Sequence, residues 1–114
     1  MLTTDALKEY GADVAEGLGR CMGNEAFYFR MIKMAAADTN VEKLKDALAQ
    51  NDLQAAFEAA HALKGVMTNL ALKPIADPVI GITEHLRAGE QMDYQPAMEI
   101  ISSKFEELKA LCAE

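Results

Sequence analysis

The sequence predicts an all-α protein, an antiparallel four-helix bundle with additional short N-terminal helices. Apolar residues recur at alternating steps of three and four along the chain, and no alternating apolar–polar run is long enough to require a strand. Turn signals divide the chain into helical blocks with short connections, which make successive helices antiparallel. At 114 residues, 51% of them hydrophobic, the chain is expected to form a single domain over residues 1–114.

Two helical blocks are predicted before residue 39. Asp13 can cap a short helix that stops at Gly23, where a glycine permits the chain to leave the helix. The next helix is predicted to begin near Asn24 and to end around Asp38. Its expected core face carries Phe27, Met31 and Met34.

The third helix is predicted to begin with a capping box. Thr39 and Glu42 have the Thr-x-x-Glu spacing in which each side chain accepts a hydrogen bond from the other's backbone N–H. Asn51 and Asp52 then supply a turn and the cap of a fourth helix, so these two helices should form a hairpin. The expected core face of the third helix carries Val41, Leu44 and Leu48.

Two prolines leave the start of the following helix open. If the helix begins at Pro74, Pro78 strains its first turn; if Asp77 is the cap, Pro78 occupies the favoured first position, which the sequence favours. Gly89 is the expected stop. The core face of this helix is expected to carry Val79, Ile82 and Leu86. A closing helix from about Asp93 should bury Ala97, Ile101, Phe105, Leu108 and Cys112.

The fourth helix carries a histidine on the side away from its predicted core face. That core face consists of Leu53, Ala56, Ala60, Leu63, Met67 and Leu70. His61 projects about 130° from the centre of this face and is expected to meet solvent. Lys64 and Gly65 follow at i+3 and i+4 and flank the ring.

These neighbours are those that a phosphorylated histidine needs. Histidine is ordinarily neutral near pH 7, which leaves a ring nitrogen available as a nucleophile. A phosphoryl group adds about two negative charges, and Lys64 can offset part of them. A glycine inside a helix lowers helix stability by about 0.5–1 kcal/mol relative to alanine, and it usually has a packing or functional role. The role expected for Gly65 is to leave open space beside His61.

This pattern resembles the motif of the histidine-containing phosphotransfer (HPt) domain. The matching residues are His61, Leu63, Lys64, Gly65, Asn69 and Leu70. The resemblance extends upstream to Gly23, Asn24, Glu25 and Tyr28, and downstream to Glu84 and Arg87, so that it covers roughly the whole chain. Two positions depart from the pattern: Ala71 stands where the family commonly has glycine, and Val66 replaces a small polar residue.

The resemblance implies a phosphorelay intermediate. No second carboxylate, Gly-rich phosphate loop or nucleotide motif accompanies His61, so the chain is expected to be a carrier rather than an enzyme. His61 would accept a phosphoryl group from an aspartate on one receiver domain and pass it to another, with receiver domains and a hybrid histidine kinase as partners. An acidic Mg²⁺ pocket would belong to the receiver, so no metal or other cofactor is expected on this chain. The expected docking residues around His61 are Gln54, Phe57, Glu58, Thr68 and Asn69, with Phe57 as the apolar contact.

A second interpretation stays open. The chain would then be an adaptor that binds a response regulator or a kinase without carrying phosphate, and the departures at Val66 and Ala71 leave room for it. His85 lacks the neighbours of His61 and is interpreted as structural or solvated.

Composition excludes several other classes of function. The net charge of −7 argues against nucleic acids and anionic membranes as partners. No apolar run approaches the roughly 20 residues that span a bilayer, and residues 1–5 lack the features of a secretion signal, so a cytoplasmic location is expected. The chain is also expected to be a monomer.

Sulfur-containing residues are expected to fill the core. Cys21 and Cys112 lack the spacing of metal ligands and are expected to be buried free thiols. Four methionines at helical core spacings are interpreted as core residues rather than metal ligands: Met31, Met34, Met67 and Met98.

Overall fold

The computed structural model describes residues 2–113 of the chain. These residues form seven α-helices within an elongated body of 41 × 24 × 19 Å. The helices are α1 (Thr4–Tyr10), α2 (Val14–Arg20), α3 (Glu25–Ala36), α4 (Asn40–Ala49), α5 (Leu53–Asn69), α6 (Lys73–Arg87) and α7 (Gln95–Cys112).

Helices α4 to α7 form the predicted antiparallel four-helix bundle. Each helix packs on the next, and α4 packs on α7 to close the ring. Every one of the four contributes a side chain that is completely buried between them: Leu44, Leu63, Val79 and Ile101. The all-α fold class, with additional short helices before the bundle, is therefore confirmed.

The N-terminal helices extend one wall of this bundle. Helix α3 lies along the C-terminal half of α5, whereas α4 lies along its N-terminal half, so that α3 and α4 follow each other end to end. The expectation that successive helices are antiparallel is wrong at this junction, because α3 and α4 lie along successive halves of α5 and both pack on α7 instead of on each other. Helix α1 packs on α2 and α7, and α2 packs on α3.

The predicted caps at Asp13 and Asp52 are confirmed, and Asn24, the predicted start of α3, also proves to be a cap. In each, a side-chain oxygen accepts a hydrogen bond from a backbone N–H in the first turn, one of the donors that a helix N-terminus leaves without a partner. The bonds run to Asp13 from Glu16 at 3.2 Å, to Asn24 from Phe27 at 3.0 Å and to Asp52 from Ala55 at 3.1 Å.

The capping box predicted for α4 does not form. Thr39 has helical backbone angles and its side chain makes no capping hydrogen bond. Asp38, one residue earlier, accepts a hydrogen bond from the backbone N–H of Asn40 at 2.7 Å instead. A charged carboxylate is a stronger acceptor than a hydroxyl, so it supplies the polar contact at this helix start.

Helix α6 begins earlier than the sequence favoured. It starts at Lys73, with Pro74 in its first turn and Pro78 inside the helix. An interior proline costs about 3 kcal/mol. The earlier start places Ile75 and Ala76 in the same buried seam as Val79, and burying one isoleucine side chain contributes about 1.5–3 kcal/mol. The burial of Ile75, together with that of Ala76, is therefore comparable to the cost of the interior proline and offsets the local preference for a start at Pro78.

Both ends of the next connection are close to the prediction. Gly89 adopts the left-handed backbone conformation, with a φ of 67°, just after α6 ends. Helix α7 begins at Gln95, whose N–H donates to the Asp93 carboxylate at 3.0 Å.

The predicted core face of α3 is wrong. Phe27 and Met34 are exposed, Met34 to 61%, and Met31 is half-buried. Tyr28 determines the rotation of the helix, because its hydroxyl donates to the backbone oxygen of Leu70 at 2.9 Å and its ring lies against Gly17. The side chains that α3 buries are Tyr28, Ile32, Ala35 and Ala36.

The other sulfur-containing residues largely follow the prediction. Met67 and Met98 lie in the core, Cys21 is buried, Cys112 is half-buried and both thiols are free. Burial raises the pKa of the Cys112 thiol above its ordinary value. His85 is exposed, with Nδ1 2.7 Å from a Glu90 carboxylate oxygen, in agreement with a solvated residue. No helix within residues 2–113 has the length and apolar character needed to cross a membrane.

Candidate functional site

Helix α5 presents His61 to solvent as predicted. Ala60 and Leu63, its near neighbours in sequence, are completely buried, while His61 is on the exposed side of the helix. No side chain or backbone group of residues 2–113 forms a hydrogen bond or ion pair with the imidazole. Both ring nitrogens are therefore free to meet a partner.

Phe57 supports the imidazole from the preceding turn. Its ring centroid lies 5.6 Å from that of His61, with 31° between the ring planes. Arg87 of α6 lies over the same phenyl ring at 4.6 Å, and its Nε donates to Glu84 at 3.1 Å. Phe57 is half-buried, so part of its ring contacts His61 and Arg87 while another part is exposed to solvent.

A groove between α3 and α5 begins at His61. We call it the α3–α5 groove; its volume is about 650 Å³. Exposed Met34 and half-buried Met31 form one side, and Gly65 and Val66 form part of the other. The groove thus provides an apolar surface directly beside the imidazole.

A second groove lies on the other side of Gly65. It has a volume of about 400 Å³ and contains two cationic side chains, so we call it the cationic groove. The residues that line it are Arg20, Lys64, Gly65, Thr68, Asn69 and Ile80. Lys64 is half-buried there, and Gly65 and Asn69 belong to both grooves.

Gly65 has no packing reason within the described part of the chain. A Cβ placed on it would meet no atom within 4 Å beyond its own helix backbone and chain neighbours. Its φ is also not positive, so the backbone does not require a glycine. Gly65 therefore lowers the stability of α5 relative to alanine, and no packing contact within the described residues compensates for it.

The predicted docking residues divide into two groups. Thr68 and Asn69 are exposed and line the cationic groove, and Phe57 contacts His61. Gln54 and Glu58 are also exposed, but they lie on the N-terminal side of His61 and pair with each other at 3.3 Å.

Three residues beside these grooves were missed by sequence reasoning. Met31 and Met34 were assigned to the core because α3 is apolar on nearly all sides, so its periodicity could not choose a face. Arg20 lies in a helix whose link to α5 is purely tertiary: Nη1 donates to the backbone oxygen of Thr68, and Nη2 is 2.6 Å from Glu16. The buried face of α3 could have been predicted from Tyr28, because Tyr28 belongs to the upstream part of the family motif and a motif position indicates a specific contact.

The two departures from the motif occupy different environments. Ala71 is 3% exposed and has a φ of 56°, the left-handed conformation in which glycine is favoured. The N–H of Leu72 donates to Met67 at 2.9 Å and completes the end of α5. Ala71 therefore affects the helix end, whereas Val66 lines the α3–α5 groove.

The site contains no ready metal centre in the region that the structure covers. Across residues 2–113, no three His, Cys, Asp or Glu side chains are grouped so that they could hold a metal ion. The arrangement consists of an accessible nucleophile, a nearby cationic groove and an apolar groove, which suits group transfer from a second protein.

Comparison with known proteins identifies the family. A search of curated proteins and a search of solved structures each found no significant match. The family model described as Hpt domain matches residues 33–114, which include α4 to α7 and all of the residues around His61 on α5. The chain therefore belongs to the Hpt domain family, the phosphocarrier modules of two-component systems and phosphorelays, which interact with receiver domains and histidine kinases.

Proposed function

We propose that His61 is the phosphoacceptor of a phosphorelay intermediate that carries a phosphoryl group between receiver-domain aspartates. The observation that supports this most is an exposed imidazole without an internal partner on a helix whose neighbouring residues are buried. Gly65 gives further support, because packing within the described residues does not require a glycine there, whereas the close approach of a second protein would.

The transfer step is a displacement at phosphorus. The lone pair of an unprotonated His61 nitrogen forms an N–P bond while the P–O bond to the donor aspartate breaks, and its electron pair returns to the carboxylate. The ring N–H can release its proton to water. The second transfer reverses these changes on the acceptor receiver, so the chain ends unchanged.

Each neighbour of His61 has a proposed role in this step. Lys64 offsets the charge of the phosphoryl group, and Gly65 lets the receiver's phosphorylated aspartate approach the ring. Mg²⁺ belongs to the receiver and is held by its carboxylates. The chain itself needs no cofactor and has no autonomous catalytic activity in this proposal.

The receiver docks across both grooves. Met31, Met34 and Val66 supply an apolar contact on one side of His61, and Thr68 and Asn69 supply polar contacts on the other. Exposed apolar patches rimmed by polar groups commonly mark protein interfaces. Phe57 contributes its exposed edge, and Gln54 and Glu58 form the outer rim.

The wider setting is part of the same proposal. Residues 1–114 act as one domain, in the cytoplasm and as a monomer, between a hybrid histidine kinase and a response regulator. A single cluster of buried residues drawn from all seven helices supports one folding unit across residues 2–113.

Transfer of label from phosphorylated receivers tests the proposal. Wild-type protein should acquire an acid-labile, base-stable label, and His61→Gln should acquire none. His85→Gln is the matched control, because it removes the other histidine, which is also exposed. It should be labelled as wild type is.

Two outcomes would contradict the phosphocarrier. Label that persists in His61→Gln would place the phosphoryl group elsewhere. Receiver binding without any label in the wild type would instead support the adaptor.

The role of Lys64 is tested separately. Lys64→Ala should slow the transfer or shorten the phosphohistidine lifetime about 3–10-fold, because a charge-assisted contact to the phosphoryl group is lost. Lys104→Ala, which removes a half-buried lysine from α7, is the control. Unchanged kinetics and lifetime in Lys64→Ala would remove the proposed electrostatic role.

A further inference from the structure

Arg20 lies outside the residues that match the family but beside the residues around His61. It is the last residue of α2, whereas the family match begins at residue 33. Its guanidinium shares the cationic groove with Lys64 and Gly65, and its side chain is 39% exposed. The position of this cation therefore depends on how the N-terminal helices pack against α5.

The guanidinium is held in place yet keeps free donors. Nη1 donates to the backbone oxygen of Thr68, and Nη2 lies 2.6 Å from a Glu16 carboxylate oxygen. A guanidinium has five N–H groups, so these two contacts leave donors for a further acceptor. Because the side chain is already ordered, a partner that binds it loses little rotamer entropy.

Arg20 falls within the area that a docked receiver covers. Thr68 follows His61 by seven residues, which is about 10 Å along a helix axis. A standard interface buries about 800 Å² on each partner, equivalent to a disc of about 16 Å radius. A receiver centred on His61 therefore reaches Arg20.

The positive charge of the cationic groove favours an anionic group on the partner. Two of the six lining residues of the cationic groove are cationic and none is acidic, in a chain with a net charge of −7. Glu16 offsets part of the charge of Arg20 from outside the groove. Carboxylates gather on a receiver around its Mg²⁺, so its docking face is the acidic counterpart.

We propose that Arg20 is a specificity-determining residue that pairs with a carboxylate at the edge of the receiver's phosphorylation pocket. This inference rests on the proposed function, because it takes a receiver centred on His61 as the partner. Arg20 acts on encounter and affinity, and the transfer chemistry stays with His61. Receivers without a carboxylate at that position bind more weakly.

Salt-dependent binding tests the proposal. The probe is the receiver domain that binds the wild-type protein most tightly, unphosphorylated and with Mg²⁺. Arg20→Ala should weaken its affinity about 3–10-fold at low ionic strength and less than about 2-fold at 0.5 M salt, since exposed pairs are screened. Lys109→Ala, which removes a cation paired with Glu106 on α7, should have no effect.

Glu16→Gln separates docking from a purely structural clamp. If Arg20 pairs with the receiver, Glu16→Gln raises the affinity at low ionic strength, because it removes a negative charge beside the guanidinium while the bond to Thr68 still orders the side chain. If Arg20 only ties α2 to the end of α5, Arg20→Ala weakens binding equally at every salt concentration, because its bond to Thr68 is lost, whereas Glu16→Gln leaves that bond in place and does not change the affinity. That result, or an unchanged affinity in Arg20→Ala, would overturn the proposal.

Failure of the proposed function is distinguishable from failure of this inference. If the wild type is never labelled but Arg20→Ala still shows the salt-dependent loss, Arg20 remains a docking residue and the phosphocarrier role falls. If the wild type is labelled at His61 while Arg20→Ala binds normally, the phosphocarrier role stands and Arg20 is not a docking residue.

Discussion

Two glycines of this chain lie in helices for opposite reasons. A Cβ on Gly17 of α2 would lie 2.4 Å from the Tyr28 hydroxyl oxygen, whereas a Cβ on Gly65 of α5 would meet nothing within 4 Å. The first glycine is explained by packing inside the protein. The second is not, and a residue choice that costs helix stability without internal benefit points to a need outside the chain.

The surroundings of the two glycines differ in the same way. Around Gly17, the N-terminal segment supplies donors to three backbone oxygens at the end of α5 and so completes a helix end that the helix cannot satisfy itself. These bonds run from Arg20 to Thr68, from Tyr28 to Leu70 and from Asp13 to Ala71. Around Gly65, the polar groups of His61 and Lys64 have no ion-pair partner within residues 2–113.

Gly17→Ala should have the largest effect on stability. The added methyl group must displace the Tyr28 ring, and overpacking of this kind costs about 1–3 kcal/mol. A loss of about 2 kcal/mol, in the middle of this range, lowers Tm by about 10 °C for a chain of this size. Gly19→Ala in the same helix meets no atom within 4 Å, so it is the matched control and should not destabilise. Equal stability of the two variants, measured by thermal unfolding, would contradict the packing argument.

Tyr28→Phe should have the next largest effect. It removes the hydrogen bond to Leu70 and should cost about 1 kcal/mol in chemical denaturation, with transfer to His61 unchanged. Burial raises the pKa of Tyr28 to about 12 from an ordinary value of 10.0. The hydroxyl therefore contributes fully below pH 10, and the difference between variant and wild type should shrink as pH rises toward 12. A difference that grows with pH would reverse the assignment.

Substitutions of Gly65 should affect stability and docking differently, with Gly65→Ala testing the first and Gly65→Leu the second. Replacing an unconstrained mid-helix glycine should stabilise the fold by about 0.5–1 kcal/mol. Gly65→Leu should keep the fold and reduce both receiver affinity and transfer rate, because its side chain occupies the space between the two grooves. Full affinity and transfer in the leucine variant would mean that the space serves no partner.

Ala71→Gly should have the smallest effect. The left-handed conformation costs a non-glycine residue about 1–2 kcal/mol, and the greater freedom of glycine in the unfolded chain offsets part of the gain. We expect a net stabilisation of about 0.5 kcal/mol, with receiver affinity unchanged because Ala71 is buried. Ala110→Gly, at an exposed helical position of α7, should destabilise instead. A stability loss in Ala71→Gly would show that the helix end is not strained.

Helix-by-helix patterns carried most of the fold prediction. The core face of α5, the caps at Asp13 and Asp52 and the helix start near Asn24 are local features, and each was predicted from spacing or from one side chain. The prediction was wrong where local signals compete: α3 is apolar on several sides, and α6 contains two prolines that permit two starts. Burial against other helices decided both cases.

The site divides along the same line. The exposure of His61 and its position on the same helix face as Lys64 and Gly65 follow from helical geometry. Predicting them required only knowing which face of α5 is buried. The methionines of the α3–α5 groove and Arg20 of the cationic groove could not be placed, because they reach α5 from other helices.

Residue order alone was enough to specify an all-helical chain, the outward direction of one imidazole and a family motif around it, because each depends on contacts within about two helical turns. The rotation of α3, the start of α6 and the cationic groove depend on residues far apart in the chain. The Tyr28 hydroxyl that reaches Leu70, the space that Gly17 leaves for its ring and the Arg20 bond to Thr68 form only once the helices pack. Their free energy comes from burial and from satisfying the open end of α5, which no single helix can achieve.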